Sequence, residues 1–210
     1  MVRIGGLDTV VPNYCLSVDD DQYAAFLSSI NPEDWPFNEP SLFKEGLTGQ
    51  DEVPGWYEDT PSSYGTMLNH AKMIDRLLEG GDPIGVVFED DALPLAGLAE
   101  GWDAVKDGPW DFLFLGGQWL GQRPLDADGP IVDVNSKIIR AHAYAVNRRG
   151  MEAMERMFKR RITWSFDYGL MALTQEIKVQ ACVPFIFGLR PRGNLTPGYN
   201  NRNTLPRCFT

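Results

Sequence analysis

Ile84-Gly85-Val86-Val87-Phe88-Glu89-Asp90-Asp91 is the stretch that decides how this chain is read. Its apolar half has the length and β-branched content of a buried strand, and it delivers three consecutive carboxylates to its own C-terminal edge. Anions held that close repel one another, and removing them from water is costly unless something cationic sits among them. A hard divalent metal suits, because it prefers oxygen ligands and can hold a phosphate as well. Side chains alternate faces along a strand, so Glu89 and Asp91 are expected on one side and Asp90 on the other. An acid-x-acid pair would then stand at the mouth of a sheet, where open α/β folds bind ligands. The competing account is a helix cap: carboxylates accept hydrogen bonds from the free N–H groups of a following helix, here expected over residues 95–105. Capping explains one acid more easily than three.

Outward from this strand, helices and apolar strands alternate. Ser17-Val18-Asp19-Asp20 starts a helix running to about Ile30. Residues 31–61 read as a long loop, of the kind that serves binding. Pro61-Ser62-Ser63 opens a second helix with Met67, Leu68, Ala71, Ile74, Leu77 and Leu78 on one stripe, and Gly80-Gly81 stops it. Trp110-Asp111-Phe112-Leu113-Phe114-Leu115 is a strand, residues 117–135 a second loop, and residues 137–146 another strand. Asn147 caps a helix over Arg148–Lys159, a further helix spans residues 164–175, and residues 177–183 form a last strand. Residues 179–188 are also compatible with an antiparallel return. This alternation gives an α/β sandwich.

Composition bounds the function. The 210 residues are 43% hydrophobic, enough for a sizeable core. No segment approaches the ~20 apolar residues that span a bilayer, and the N-terminus lacks a signal-peptide h-region, so a cytoplasmic protein of a bacterium or a phage-infected host is expected. Three cysteines, Cys15, Cys182 and Cys208, form neither a disulfide framework nor a metal pattern, and Cys182 reads as core. A net charge of −10 argues against bulk binding to nucleic acid. Residues 148–161 and 190–207 are nevertheless basic, which leaves a local groove open.

Five segments in order resemble glycosyltransferase family 25, the lipooligosaccharide and collagen-type sugar transferases. They are Gly65-Thr66-Met67-Leu68-Asn69-His70, the Glu89-Asp90-Asp91 strand, Trp110-Asp111 through Leu115-Gly116, Ala141-His142-Ala143-Tyr144 through Arg148-Arg149-Gly150, and Asp167-Tyr168. The match covers roughly residues 62–187. Gly65 and His70 stand closer together than is usual in the family, the N-terminal strand departs from its pattern, and residues 18–60 align with nothing in it. The resemblance implies an α/β, GT-A-like (Rossmann-like) nucleotide-sugar-binding sandwich with a mixed, mainly parallel central sheet. It would form a single catalytic domain over residues 1–190, with an irregular tail over 191–210.

The implied reaction moves a hexose from a nucleoside diphosphate sugar, expected to be a UDP-sugar, to a hydroxyl of a glycan or lipooligosaccharide, with inversion and with Mn²⁺ or Mg²⁺. The resemblance assigns Glu89 and Asp91 to the metal and Asp90 to the site or the sugar. Asp167 is the candidate base, or else an ordinary helix cap. His142 is a candidate metal or diphosphate ligand, or else a hydrogen-bonded core group. His70 and Tyr144 are candidate cofactor contacts, with packing as the alternative for His70. Arg123, Arg190 and Arg192 could neutralise the diphosphate or simply be solvated. Trp56, Tyr57, Trp119 and Tyr199 could stack on a sugar or base, or anchor loops. Other activities stay open: transfer to hydroxylated bases in DNA, hydrolysis of the nucleotide sugar, or sugar binding without catalysis. Cysteine nucleophile chemistry is disfavoured, since nothing ties a histidine to a thiol.

Overall fold

The computed structural model describes residues 3–4, 7–8, 11–44, 53–120, 129–134 and 138–190. In chain order the elements are β1 (Arg3–Ile4), β2 (Leu7–Asp8), β3 (Asn13–Leu16), α1 (Asp20–Ser28), β4 (Ser41–Phe43), α2 (Pro61–Gly80), β5 (Ile84–Glu89) and β6 (Ala92–Pro94). There follow α3 (Leu98–Val105), β7 (Phe112–Trp119), β8 (Ile131–Asp133), β9 (Ile138–Asn147), α4 (Arg148–Lys159), α5 (Phe166–Leu173), β10 (Val179–Cys182) and β11 (Phe187–Leu189). Arg123, Arg192, Tyr199 and Cys208, with the tail expected over residues 191–210, lie outside the described residues.

Seven strands form the central sheet in the order β4-β3-β5-β9-β7-β10-β8. β9 and β8 run against the other strands, so the sheet is mixed with a mainly parallel sense. Alternation along the strands divides the core. Val87, Phe112, Phe114, Tyr144 and Val146 face α2, α4 and α5, while Val86, Phe88, Leu113, Leu115, Ala143 and Ala145 face α1 and α3. The result is a Rossmann-like α/β sandwich with helices on both faces.

The clearest helices start and stop where their caps dictate. Thr60 Oγ1 accepts from Ser63 N–H ahead of Pro61, and Gly81, at φ 74°, ends α2 in the left-handed region. Asn147 Oδ1 accepts from Gly150 N–H at 2.9 Å and opens α4. Gly150 is also where the first turn of α4 passes close to the end of β9 and the residue ahead of β7. An added Cβ would run into the Asp111 carbonyl oxygen and Val146. Asp111 itself ties three elements together: its carboxylate accepts from Asn147 Nδ2 and Lys178 N–H, with Arg149 3.6 Å away.

Two expectations change. The helix after the triplet begins only at Leu98, because β6 intervenes and pairs antiparallel with β11. Its cap is Asp34, not Asp91. The Asp34 carboxylate accepts from the N–H groups of Gly97, Leu98 and Ala99 at 2.8–3.0 Å. Part of the expected binding loop is therefore structural: Trp35 packs on Phe26, Phe37, Phe88 and Phe187, and Ser41–Phe43 adds the edge strand β4. Farther along, Tyr57 is buried and pairs with Tyr64, so it anchors the chain to the core.

The N–H bonds, Ala99's above all, hold the Asp34 carboxyl below its usual value despite some desolvation. A depressed folded pKa contributes stability that is complete above the unfolded value, about 3.9, and is lost as pH falls through the folded one. Asp34→Asn is therefore expected to melt below the wild type at pH 6, with the gap closing as the pH falls toward 2. Thermal melts across that range test it. Gly150→Ala is expected to lose about 1–3 kcal/mol or more in urea unfolding, because backbone and not a flexible side chain must give way.

Candidate active site at the carboxyl edge of β5

β3 and β5 are parallel neighbours, so their carboxyl ends and the start of α1 meet at one edge. Asp90 N–H donates to the Leu16 carbonyl, and Ser17 Oγ donates to Asp90 Oδ2 at 2.6 Å. Asp90 is thereby buried, 6% exposed, while Glu89 and Asp91 remain partly exposed. β5 ends at Glu89, and Asp90 and Asp91 form the turn into β6. Strand alternation therefore fixes Glu89 and Asp90 on opposite sides but does not extend to Asp91.

Glu89 turns toward α2. His70, itself fully buried, reaches it through Nε2 at 3.2 Å, and His70 Nδ1 lies 2.9 Å from the Tyr144 hydroxyl. With Glu89 ionised, the consistent tautomer carries its proton on Nε2 and accepts from Tyr144 on Nδ1. Burial, then the nearby Glu89 charge, pushes the Tyr144 hydroxyl well above its ordinary pKa, which keeps it a donor. The Phe166 ring stacks on His70 at 4.0 Å and fixes its plane. Tyr144, expected to touch cofactor, is fully buried and supports Glu89 through His70.

Arg190 lies across the other side of the edge. Its Nη2 is 2.6 Å from the Asp90 carbonyl and 3.1–3.2 Å from the side-chain and main-chain oxygens of Gln22, while its N–H donates to the Asp91 carbonyl. A cation thus lies against the backbone of the acidic turn and joins the end of β11 to α1.

Asp167 and His142 complete the surroundings. β9 shifts register against β7 between Gly116 and Gln118, and within the shift Arg140 has φ 60°. The Asp167 carboxylate accepts from Arg140 N–H at 2.8 Å and Ala141 N–H at 3.1 Å. In this geometry its oxygens clamp the irregular backbone. Burial raises its pKa, the Arg140 N–H bond works against that, and the Glu89 charge raises it further. His142 is 3% exposed, and a Cβ on Gly116 would lie 2.5 Å from its Nε2. Burial lowers its pKa despite Glu89 and nearby carbonyls of Phe187 and Arg140, so the ring is kept neutral.

Among the described residues, no group of three His, Cys, Asp or Glu side chains is disposed to hold a metal ion. A Mg²⁺-like ion arriving with a nucleotide needs less, since it keeps waters and shares one or two carboxylates with the phosphates. Glu89 and Asp91, part-exposed oxygen donors, fit that chemistry. His142 is nearly sealed off. The buried thiols do not join the site: burial pushes Cys182 up to about 12 and raises Cys15 as well. No helix among the described residues is long and apolar enough to cross a membrane.

Sequence reading took Ser17 only as part of a helix start, whose cap is Asp19, and missed its bond to Asp90 as well as Gln22 and Asp34. The run Tyr14-Cys15-Leu16 ahead of Ser17 was the available signal for β3.

No protein-family model matches the chain, and no curated protein matches it. Among solved structures it is similar to the crystal structure of A197 from STIV, at 11% identity and a TM-score of 0.49, covering 91% of this chain and 100% of that one. A likeness at that level bears on neither substrate nor activity.

Asp167→Asn sets an amide N–H₂ against one of the two backbone donors of β9. The variant is expected to lose about 1–3 kcal/mol of stability, the cost of leaving a buried donor unpaired. Urea denaturation measures it.

Proposed function

We propose that this chain is a glycosyltransferase that moves a hexose from a nucleoside diphosphate sugar to a hydroxyl of a glycan, in the manner of glycosyltransferase family 25. One observation carries the reading. The carboxylate triplet stands at the carboxyl edge of the parallel strands β3 and β5, with Arg190 across it and an imidazole behind Glu89. Open α/β sheets take their ligands at such an edge.

In this reading His70 and Tyr144 hold Glu89 in one orientation, so less is lost when it engages the donor. Arg190 offers a delocalised cation for the diphosphate, to which its planar donors are suited. Glu89 and Asp91 would hold the Mn²⁺ or Mg²⁺ that such transfer uses, and that ion, when bound, would supply Lewis-acid neutralisation of the departing diphosphate. An inverting transfer also needs a base for the acceptor hydroxyl. Asp167 is the candidate, and burial, which raises its pKa, makes its carboxylate a stronger base. To act, it must release one of its bonds to β9.

A saccharide acceptor is better supported than a base in duplex DNA. Four of the six cations in residues 148–161 are met by acids: Arg148 by Glu152, Arg149 by Asp111, Lys159 by Glu155 and Arg160 by Glu176. That pairing weakens the positive field this stretch could offer a phosphate backbone, in a chain of net charge −10.

The test is nucleoside diphosphate release from a panel of sugar donors, with and without saccharide acceptors and Mn²⁺. Acceptor-stimulated release is expected, and Asp91→Asn and Glu89→Gln should each lower it about a hundredfold. Release indifferent to acceptor would make the protein a hydrolase. No release from any donor, or full activity in Asp91→Asn, would remove the transferase reading.

A further inference from the structure

α5 has two working faces. Its inner face presents Phe166 to His70 and Asp167 to β9. Its outer face, with the turn after α4, lines an open groove of about 330 Å³, within the ordinary range for small-ligand sites. Trp164 and Tyr168 stand in this groove, 48% and 54% exposed. Their rings adjoin, with centroids 6.0 Å apart and planes inclined at 58°. Two large aromatic rings left side by side in solvent mark a binding surface more than chance exposure does.

The walls narrow the occupant. Ile162, Leu173 and the two rings supply apolar surface, while Thr163, Arg160, Arg161 and Glu176 supply donors and acceptors of both signs. A pyranose matches this mixture, having an apolar C–H face and a rim of hydroxyls that both give and accept hydrogen bonds. A polyanion matches it poorly. Glu176 adds a negative charge and neutralises Arg160 at 2.6 Å, and the Arg161 guanidinium lies 5.9 Å from the Trp56 ring. Arg161, at φ 59°, is the left-handed residue that ends α4.

We propose that this groove binds a neutral oligosaccharide, stacking sugar faces on Trp164 and Tyr168, and that the saccharide held there is the far end of the acceptor, whose reacting hydroxyl extends past α5 to the donor edge. The acceptor role rests on the transferase reading; the binding does not. One helix then serves both ends of the reaction, carrying the groove on one side and the donor-edge contacts on the other.

The full chain is titrated with neutral mono- to tetrasaccharides and, separately, with short duplex DNA, following tryptophan fluorescence and saturation-transfer NMR. Saturable binding that tightens with saccharide length is expected, weakened about tenfold in Trp164→Ala and in Tyr168→Ala. Circular dichroism confirms that each variant is folded, as the exposure of both rings predicts. The proposal is overturned if no saccharide binds, if both variants bind as the wild type does, or if DNA binds in a Trp164-dependent way. Trp164-dependent saccharide binding in a protein that turns over no nucleotide sugar would keep the groove and remove the transferase. Turnover together with variant-insensitive saccharide binding would do the reverse.

Discussion

Crowding of negative charge at the end of β5 is the constraint around which the neighbouring elements are arranged. Three adjacent acids cannot all be sequestered without partners, and the fold supplies a different one on each side. α2 brings an imidazole to Glu89, the β3–α1 junction brings the Ser17 hydroxyl to Asp90, and the end of β11 lays a guanidinium against the turn. Each partner comes from a different element, and Ser17 and Arg190 are remote in the chain. The local energetics of a few side chains thus require the whole sandwich to be in place.

The same edge shows how a sheet makes room for chemistry. β9 is irregular where it passes the carboxyl end of β5, and Asp167 holds that irregularity by its own two oxygens. Gly116 opposite gives His142 space that any side chain would fill. Glu89 is the charge felt by Tyr144, Asp167 and His142 alike, so a change at that carboxylate propagates to groups on two other elements.

What the sequence disclosed follows from which forces are local. α2 and α4 were legible almost to the residue, because Thr60-Pro61, Gly81 and Asn147 write their caps next to an apolar stripe. β5 and β9 were legible too, as was the alternation that separates Glu89 from Asp90, but not the turn that takes Asp91 out of it. β3, β4, β8 and β11 were not, since each is four residues or fewer and exists through pairing with strands remote in the chain. At the site, Glu89, His70 and Arg190 stood out as charged or titratable residues near an edge. Ser17 and Gln22 carried no such mark, because their importance comes from where α1 begins in space. Asp34 was invisible for the same reason: its partners are backbone amides more than sixty positions away.

The strand order has a consequence for how the molecule is made. β5 and β7 never touch; β9 lies between them, although both leave the ribosome before it. A nascent chain therefore carries two apolar edges flanking a vacant central slot until residue 147 has emerged. Local helix formation proceeds early, whereas closure of the sheet waits for an antiparallel strand to insert from the C-terminal half. Synthesis rate and holding chaperones thus acquire leverage over yield, and a truncation ahead of β9 would leave a sticky half-sheet with no independent existence.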